Sequence, residues 1–303
     1  MLDWLNPIFN EATSAYNLTG YLEPFTGTAN VILHTDNWES ETINDFSYDL
    51  INLHHVIKEY PVELKVYLSH PNVTSDIKTN FQNSRNFLGN NPIPTRRNKK
   101  FEIQRVTAFF ICRYHSYYGD GTSINTKKNI NRYLINIDYI YAFSKRLQNR
   151  EIKRADAIYR LNTFNYKSKH LIYIDAPYIN TEHYYKINQS NKKCSVFFNH
   201  TTLRNVVEKF RKDNVCLLSY RITASSSALK KNKDAEKFIR AYLDKLYLNR
   251  KYFYALNKLK NGQVEIILST HFLSGFEEYN TSLIEKEVTN YKQSRGVKKF
   301  FEL

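Results

Sequence analysis

The sequence predicts an α/β fold, in which a mostly parallel β-sheet carries helices on both faces and an inserted lobe is mainly helical. Three observations support this prediction: short apolar segments bounded by polar residues, helical periodicity between them, and a middle region where the strand pattern is lost and positive charge accumulates. The chain has 303 residues, 42% of them hydrophobic, which is enough to bury the core of one large domain or of a core domain with a smaller lobe.

Four short apolar segments are interpreted as buried strands: residues 20–23, 171–175, 215–219 and 264–269. Each is bounded by polar or turn-forming residues, as is typical of the strands of a parallel sheet. A further strand is expected to end at Asp45.

Helical patterns lie between these strands, over residues 49–59, 101–115, 203–211 and 234–246. In the last of them, apolar side chains recur at helical spacing: Phe238, Ile239, Tyr242, Leu243 and Leu246. Strands that alternate with helices favour a parallel sheet covered on both faces, although a generic α+β domain fits the same pattern.

The middle of the chain, residues 61–150, is interpreted as an inserted, mostly helical lobe, which leaves residues 1–60 and 151–303 for the core domain. Its basic side chains are concentrated in two clusters, which comprise Arg96, Arg97, Lys99 and Lys100, and then Lys127 and Lys128. Two interpretations of these clusters remain. They contact phosphate groups, which the net charge and their place in the lobe favour, or they form an ordinary solvated surface.

The net charge of +15 and an isoelectric point near 9.5 indicate a polyanionic partner. Nucleic acid is the usual partner of this kind, and an acidic membrane surface is the alternative. No apolar run is long enough to span a bilayer and residues 1–9 lack the pattern of a signal peptide, so we expect a cytoplasmic protein. The scattered Cys112, Cys194 and Cys216 lack zinc-ligand spacing, and no metal site is expected.

The first motif is a strand that runs into a glycine-containing turn: Tyr21-Leu22-Glu23-Pro24-Phe25-Thr26-Gly27-Thr28-Ala29. Such a turn at the carboxyl end of a strand lets backbone amides approach a bound cofactor, although an ordinary strand-to-helix turn explains the same residues. The second motif lies about twenty residues further on and reads Asp45-Phe46-Ser47-Tyr48-Asp49-Leu50. Its Asp45 suits the two ribose hydroxyls of an adenosyl group. Asp49 is instead expected to cap the helix that follows.

The third motif is an apolar strand that ends in Asp175-Ala176-Pro177-Tyr178. The exocyclic amine of adenine is a poor nucleophile, because its lone pair is delocalised into the ring. An enzyme activates it by accepting hydrogen bonds from both N–H groups, here at the Asp175 carboxylate and the Ala176 carbonyl oxygen. Pro177 stiffens the turn, and Tyr178 offers a face on which a base stacks once it is flipped out of the duplex.

Taken in this order, the three motifs resemble those of the DNA adenine methylase type of adenine-specific DNA methyltransferase. The resemblance covers residues 19–219 and implies a Rossmann-like S-adenosylmethionine-dependent methyltransferase sheet with a target-recognition lobe between the second and third motifs. The cofactor contacts that it implies are Tyr21, Glu23, Pro24, Phe25, Gly27, Asp45, Asp156 and Asp175. It also implies DNA as the substrate, with Arg113 and Asn125 either touching bases or capping the lobe.

Three features depart from the family pattern. Ala29 replaces the third glycine of the first motif, Ala176 replaces the first proline of the catalytic motif, and residues 1–20 contain no Gly-Lys segment to help hold the cofactor. Alanine at position 176 keeps the backbone carbonyl, whereas alanine at position 29 is strained if its site requires a positive φ.

Two hypotheses therefore remain, and the motifs favour the first. The chain is an active DNA adenine methyltransferase, or it is a catalytically impaired homologue that acts as a DNA-binding or structural subunit beside a restriction or defence partner protein. Methylation of RNA is a third hypothesis, which the resemblance to DNA enzymes disfavours.

Overall fold

The computed structural model describes residues 2–35, 38–70, 76–94, 98–116, 121, 123–125, 137–165, 168–179, 187–189, 192–194, 198–222, 233–259 and 263–301. Helices α1 to α10 cover, in chain order, Leu2–Tyr16, Tyr48–Glu59, Pro61–Ser69, Ile77–Asn90, Lys99–Tyr114, Ile140–Leu147, Ala157–Thr163, His200–Phe210, Lys233–Tyr247 and Thr281–Phe301. Strands β1 to β10 cover Gly20–Glu23, Ser40–Asp45, Glu151–Arg154, His170–Ile174, Ile187–Gln189, Lys192–Cys194, Val215–Arg221, Phe253–Lys258, Val264–Ser269 and Glu277–Glu278.

An eight-stranded sheet with the order β10-β8-β9-β7-β4-β1-β2-β3 forms the centre of the molecule. The neighbouring strands from β7 to β3 in this order are parallel, whereas β9, β8 and β10 pair antiparallel at the other end. The predicted α/β fold is confirmed.

The four apolar segments form β1, β4, β7 and β9, and the expected second strand, β2, ends at Asp45. The expectation of a parallel strand is wrong for β9, which pairs antiparallel with both β7 and β8. The reason is a hairpin between β8 and β9, closed by a hydrogen bond of 2.8 Å from Leu259 N to the Gln263 carbonyl. So short a connection can join only antiparallel strands.

Alternate residues of the strands face two hydrophobic cores, one on each side of the sheet. Tyr21, Tyr173 and Leu217 lie in the first core, which α1, α2, α3, α5 and α6 complete. Leu22 and Ile172 lie in the second core, which α7, α8, α9 and α10 cover. No helix in the described part of the chain is long and apolar enough to cross a membrane.

The helix α2 leads away from β2 and starts differently from the prediction. Its N-cap is Ser47, whose side chain accepts a hydrogen bond of 3.4 Å from Leu50 N, so the expectation that Asp49 caps the helix is wrong. Asp49 lies in the first turn and forms an ion pair of 2.6 Å with Arg105 of α5. This ion pair joins α5, in the middle of the chain, to α2.

Candidate active site

The carboxyl ends of β1 and β4 form the centre of the site. The two strands are adjacent and parallel, but β2 lies on the far side of β1 and β7 on the far side of β4. Open α/β sheets bind their ligands at such a switch point, where the connections diverge. Glu23 is the last residue of β1 and Asp175 directly follows β4, so the fold brings two of the predicted acids together.

Glu23 is buried beneath this switch point, with 2% of its surface exposed. Burial raises its pKa well above the ordinary value; the hydrogen bond from Tyr21 opposes this rise, and the nearby Asp175 carboxylate adds to it. The Tyr21 hydroxyl lies 3.2 Å from Glu23 Oε2. The Tyr21 ring is fully buried and stacks on Trp38, with 4.6 Å between the centroids, so Tyr21 holds Glu23 from within the core.

The turn after β1 is held by its own backbone amides. Thr26 N donates to the Asn44 carbonyl at 2.9 Å, and Gly27 N donates to Asp45 Oδ2 at 3.0 Å. Gly27 has a φ of 51°, and a Cβ placed on it meets no atom within 4 Å, so open space lies beside the turn. Ala29 is fully buried with a φ of 60°, a conformation that costs a non-glycine residue roughly 1 kcal/mol.

Asp45 is fixed at the end of β2 by two backbone amides, since its Oδ1 also accepts a hydrogen bond of 2.8 Å from Ser47 N. Burial raises its pKa, and the amides of Ser47 and Gly27 partly offset this effect. Each carboxylate oxygen keeps a further lone pair that can accept a hydrogen bond from a hydroxyl group. Asp156, in contrast, is exposed and caps α7, accepting a hydrogen bond of 2.9 Å from Tyr159 N.

Two buried polar side chains that the motifs did not predict support the turn. Asn44 Nδ2 donates to the carbonyls of Pro24 and Ala155, each at 3.0 Å, and so ties together the loops that follow β1 and β3. The ring of His54 in α2 lies with Nε2 2.9 Å from the Gly27 carbonyl. Burial lowers the pKa of His54 to about 4, so the ring is neutral at pH 7 and donates from Nε2.

Asp175 carries a buried oxygen, Oδ1, that has no hydrogen-bond partner among the described residues. Burial raises the pKa of its carboxyl to about 6; a hydrogen bond from Tyr178 and the charge of Arg221 lower it, while Glu265 raises it. The group is therefore mostly ionised at pH 7. A buried acceptor without a donor costs about 1–3 kcal/mol, so a ligand that donates a hydrogen bond to this oxygen would be stabilised there.

The other residues of the catalytic motif surround this carboxylate. Ala176 is buried in the second core, and Pro177 is partly exposed. The Tyr178 ring lies beneath the guanidinium group of Arg221, with 5.0 Å from the guanidinium carbon to the ring centroid. Burial raises the pKa of Tyr178, so its hydroxyl remains protonated at neutral pH.

The arrangement agrees with a comparison with known proteins. The model of a family described as D12 class N6 adenine-specific DNA methyltransferase matches residues 1–256. The chain belongs to this family. The resemblance derived from the three motifs is thereby confirmed, and the family is one of enzymes. No curated protein matches the chain.

The predicted DNA contacts of this D12-class chain are only partly covered by the structure, since Arg96, Arg97, Lys127 and Lys128 lie outside the described residues. Lys99 begins α5 and pairs with Glu63 at 2.6 Å, and both Lys99 and Lys100 are exposed. Arg113 lies at the other end of α5, exposed and with its guanidinium carbon 5.2 Å from the centroid of Phe109.

Asn125 lies near Arg113, since its backbone N–H donates to the carbonyl of His115, the residue that caps α5. The two polar residues implied by the resemblance therefore meet at the carboxyl end of one helix. The charge of Arg113 also lowers the pKa of Asp45, so this end of α5 in the D12-class chain lies within electrostatic range of the second motif.

Proposed function

We propose that this D12-class methyltransferase transfers a methyl group from S-adenosylmethionine to the exocyclic N6 amine of adenine in DNA. The observation that carries this proposal is the buried Oδ1 of Asp175, which lacks a hydrogen-bond donor in the described part of the chain and lies at the sheet's switch point. The N6 amine of adenine supplies a donor of the required kind. Family membership supports DNA adenine methylation in general.

The residues around the first two motifs fit the cofactor that such enzymes use. Asp45 would hold the ribose hydroxyls, and the open space beside Gly27 would admit the methionine part. We assign Pro24 and Phe25 to the wall of this pocket, Asp156 to the adenine end, and Tyr21 and Glu23 to its buried support. The nearby His54 and Asn44 would keep the turn in place.

The chemical step uses groups of the third motif. When bound, the cofactor supplies an electrophilic methyl carbon, whose bond to sulfur breaks as its bond to nitrogen forms. Asp175 and the Ala176 carbonyl oxygen accept hydrogen bonds from the two N–H groups of the amine. These bonds direct the nitrogen lone pair toward the methyl carbon. The negative charge of Asp175 stabilises the positive charge that develops on nitrogen until one N–H proton is released to solvent. Tyr178 stacks on the flipped base.

DNA is proposed to lie along the segment of residues 61–150, which we assign as a target-recognition lobe inserted into a catalytic domain of residues 1–60 and 151–303. The exposed Lys100 and Arg113 support this placement, since both belong to α5, which packs against α2 beside the second motif. Contacts to phosphate by such side chains position a duplex without reading its sequence.

A catalytically impaired homologue that binds DNA beside a restriction or defence partner is the second candidate. The observation that favours it is the positive φ of Ala29, which strains the turn where the family pattern has glycine. A strained turn lowers the fraction of molecules that are ready to bind the cofactor.

Calorimetric titration with S-adenosylmethionine separates the two candidates. We expect micromolar binding that Asp45→Asn weakens at least about tenfold, because the ribose hydroxyls lose a charged acceptor. Asp138→Asn is the matched control, since Asp138 is an exposed acid paired with Lys65 on α3. Absence of cofactor binding by a folded wild-type protein that still binds DNA would support the impaired homologue.

A further inference from the structure

Arg221 and Glu265 form an ion pair at the edge of the site, outside the three motifs. Arg221 is the last residue of β7, and Glu265 lies directly opposite it on the antiparallel strand β9. Arg221 Nη2 lies 3.3 Å from Glu265 Oε1. Glu265 is 2% exposed, and Asn257 of β8 lies 3.5 Å from its other oxygen, so neighbouring strands hold the acid on both sides.

The register of the sheet places this pair next to the catalytic motif. β4 ends at Ile174, whose partner on β7 is Leu218, so β7 continues past the end of β4 as far as Arg221. The guanidinium carbon of Arg221 lies 5.0 Å from the Tyr178 ring centroid, which is the distance of a cation–π contact. One face of the ring is therefore covered from within the protein.

Resting on the proposed function, we propose that Arg221 and Glu265 are positioning residues: Arg221 backs one face of the Tyr178 ring so that the target adenine stacks on the other, and Glu265 holds Arg221 in place. The contact with Arg221 adds to the hydrogen bonds that the Tyr178 hydroxyl makes with Asp175 and Ser219, and it further restricts rotation of the ring away from the base. A cation on the far face also fixes which face of the ring the base meets.

The same pair acts on Asp175 through its charges. The groups that face Asp175 are Tyr178 on its own loop, Glu23 on β1, Arg221 on β7 and Glu265 on β9. Tyr173 on β4 also interacts with it. The guanidinium favours the ionised carboxylate that accepts the amine N–H, whereas Glu265 opposes ionisation. Loss of the Arg221 charge is therefore expected to raise the pKa of Asp175, and loss of the Glu265 charge is expected to lower it.

The first test is a carbon-13 NMR titration of protein labelled in its aspartate carboxyl groups, with the Asp175 signal identified by its absence in Asp175→Asn. We expect Arg221→Met to raise the midpoint by about 0.5 to 1 pH unit and Glu265→Gln to lower it by a similar amount. Arg221→Lys keeps the charge and stays close to the wild type. Unchanged midpoints in both Arg221→Met and Glu265→Gln would overturn the proposal.

The matched control is Arg211→Met, because Arg211 also pairs with a glutamate, Glu208, and lies 4.9 Å from a tyrosine ring centroid, that of Tyr252. This arginine is not part of the motifs or of the ion pair beside Asp175, so the midpoint of Asp175 is expected to stay unchanged. An equal shift in this control would show a general loss of packing and would contradict a local role. If Arg221→Met folds poorly, Glu265→Gln still decides the test, because this substitution is isosteric and is expected to lower the midpoint.

The second test is the rate of methyl transfer at pH 8.5, where Asp175 is ionised in every variant. Arg221→Met is expected to lower kcat by roughly three- to tenfold with the cofactor affinity unchanged, and Arg221→Lys by less, because lysine keeps a cation near the ring. A rate equal to the wild type in Arg221→Met would overturn the stacking role. An inactive wild type would instead contradict the proposed function, and the NMR midpoints would still decide the effect of the pair on Asp175.

Discussion

At the scale of single residues, Asp175 combines a cost to folding with the chemical role that we propose for it. Its carboxylate is ionised at neutral pH although burial disfavours the charge, and one of its oxygens has no donor in the described structure. Active sites commonly hold polar groups in environments that destabilise the fold. The balance leads to two predictions, one for activity and one for stability.

The rate of methyl transfer is predicted to fall as the pH decreases through about 6, the pKa to which burial raises Asp175. Below that pH the carboxyl is protonated and no longer accepts the amine N–H with a negative charge, whereas above it the rate reaches a plateau. The measurement is kcat/KM between pH 5 and pH 8.5. A profile that stays flat down to pH 5, as expected for an aspartate with the ordinary pKa of about 3.9, contradicts this assignment.

Asp175→Asn is predicted to stabilise the cofactor-free protein at pH 7 by up to about 3 kcal/mol, since a pKa raised by roughly two units corresponds to about 1.4 kcal/mol per unit. The same substitution is predicted to lower methyl transfer at least about 100-fold. The pKa of Asp175 is raised in the folded state, so the carboxylate destabilises the fold above about pH 6. This effect disappears below the unfolded pKa of about 3.9, where both states are protonated.

Thermal unfolding at pH 7 and at pH 3.5 measures the effect on stability. Asp213→Asn serves as the control, because Asp213 is exposed. A melting temperature of Asp175→Asn below that of the wild type at pH 7 would be inconsistent with a destabilising carboxylate.

At the scale of elements, the site depends on loops that are tied together behind the strands. Asn44, near the end of β2, joins the turn after β1 to the loop after β3, and His54 of α2 holds the Gly27 carbonyl. A preorganised turn reduces the free energy that is spent on ordering it during binding.

Asn44→Ala is predicted to weaken S-adenosylmethionine binding at least about tenfold, because both loops lose their common donor. Asn214→Ala is the matched control: Asn214 is also buried and bridges by accepting from His170 N at 2.9 Å and donating to the Phe210 carbonyl at 3.1 Å, at the opposite end of the strands. Both variants should unfold more easily, by about 1–3 kcal/mol. Calorimetric affinities that fall equally in the two variants would remove the special role of Asn44.

The elements with continuous apolar patterns were predictable from the sequence, and those without them were not. β1, β4, β7 and β9 are buried on both faces, so each reads as an apolar run. β3 lies at the sheet edge with only Ile152 buried among charged neighbours, and its pattern does not distinguish it from a loop. The helix α1 was also missed.

The contacts of the site show the same division. The positions of Asp45 and Asp175 could be predicted because each lies at the end of a strand within a recognisable motif. Asn44 could not, since its acceptors Pro24 and Ala155 come near only through the pairing of three strands. The pair of Arg221 and Glu265 likewise depends on an antiparallel register that the apolar pattern of β9 does not specify.

At the scale of the whole molecule, the net charge of +15 favours association with a polyanion. Individual lysines differ in how available their charge is for contact with phosphate. Lys99 is paired with Glu63 and lies 4.5 Å from the ring centroid of Tyr60, whereas its exposed neighbour Lys100 is a candidate for contact with phosphate.

Lys100→Ala is therefore predicted to reduce the salt dependence of DNA binding by about one unit in the slope of log K against log salt, uniformly across DNA sequences. Lys99→Ala is the neighbouring control and is expected to change the slope less, because its charge is already paired. Fluorescence anisotropy at several salt concentrations measures both slopes. Equal slopes for wild type and Lys100→Ala would exclude Lys100 from the interface.

The most direct test of the proposed function is the transfer of a labelled methyl group from S-adenosylmethionine to unmethylated DNA, with digestion to nucleosides to identify the product. We expect N6-methyladenine with the wild-type protein and at least about 100-fold less with Asp175→Asn, although that variant remains folded. A folded wild-type protein that binds both DNA and cofactor but forms no N6-methyladenine, or an Asp175→Asn variant as active as the wild type, would contradict it.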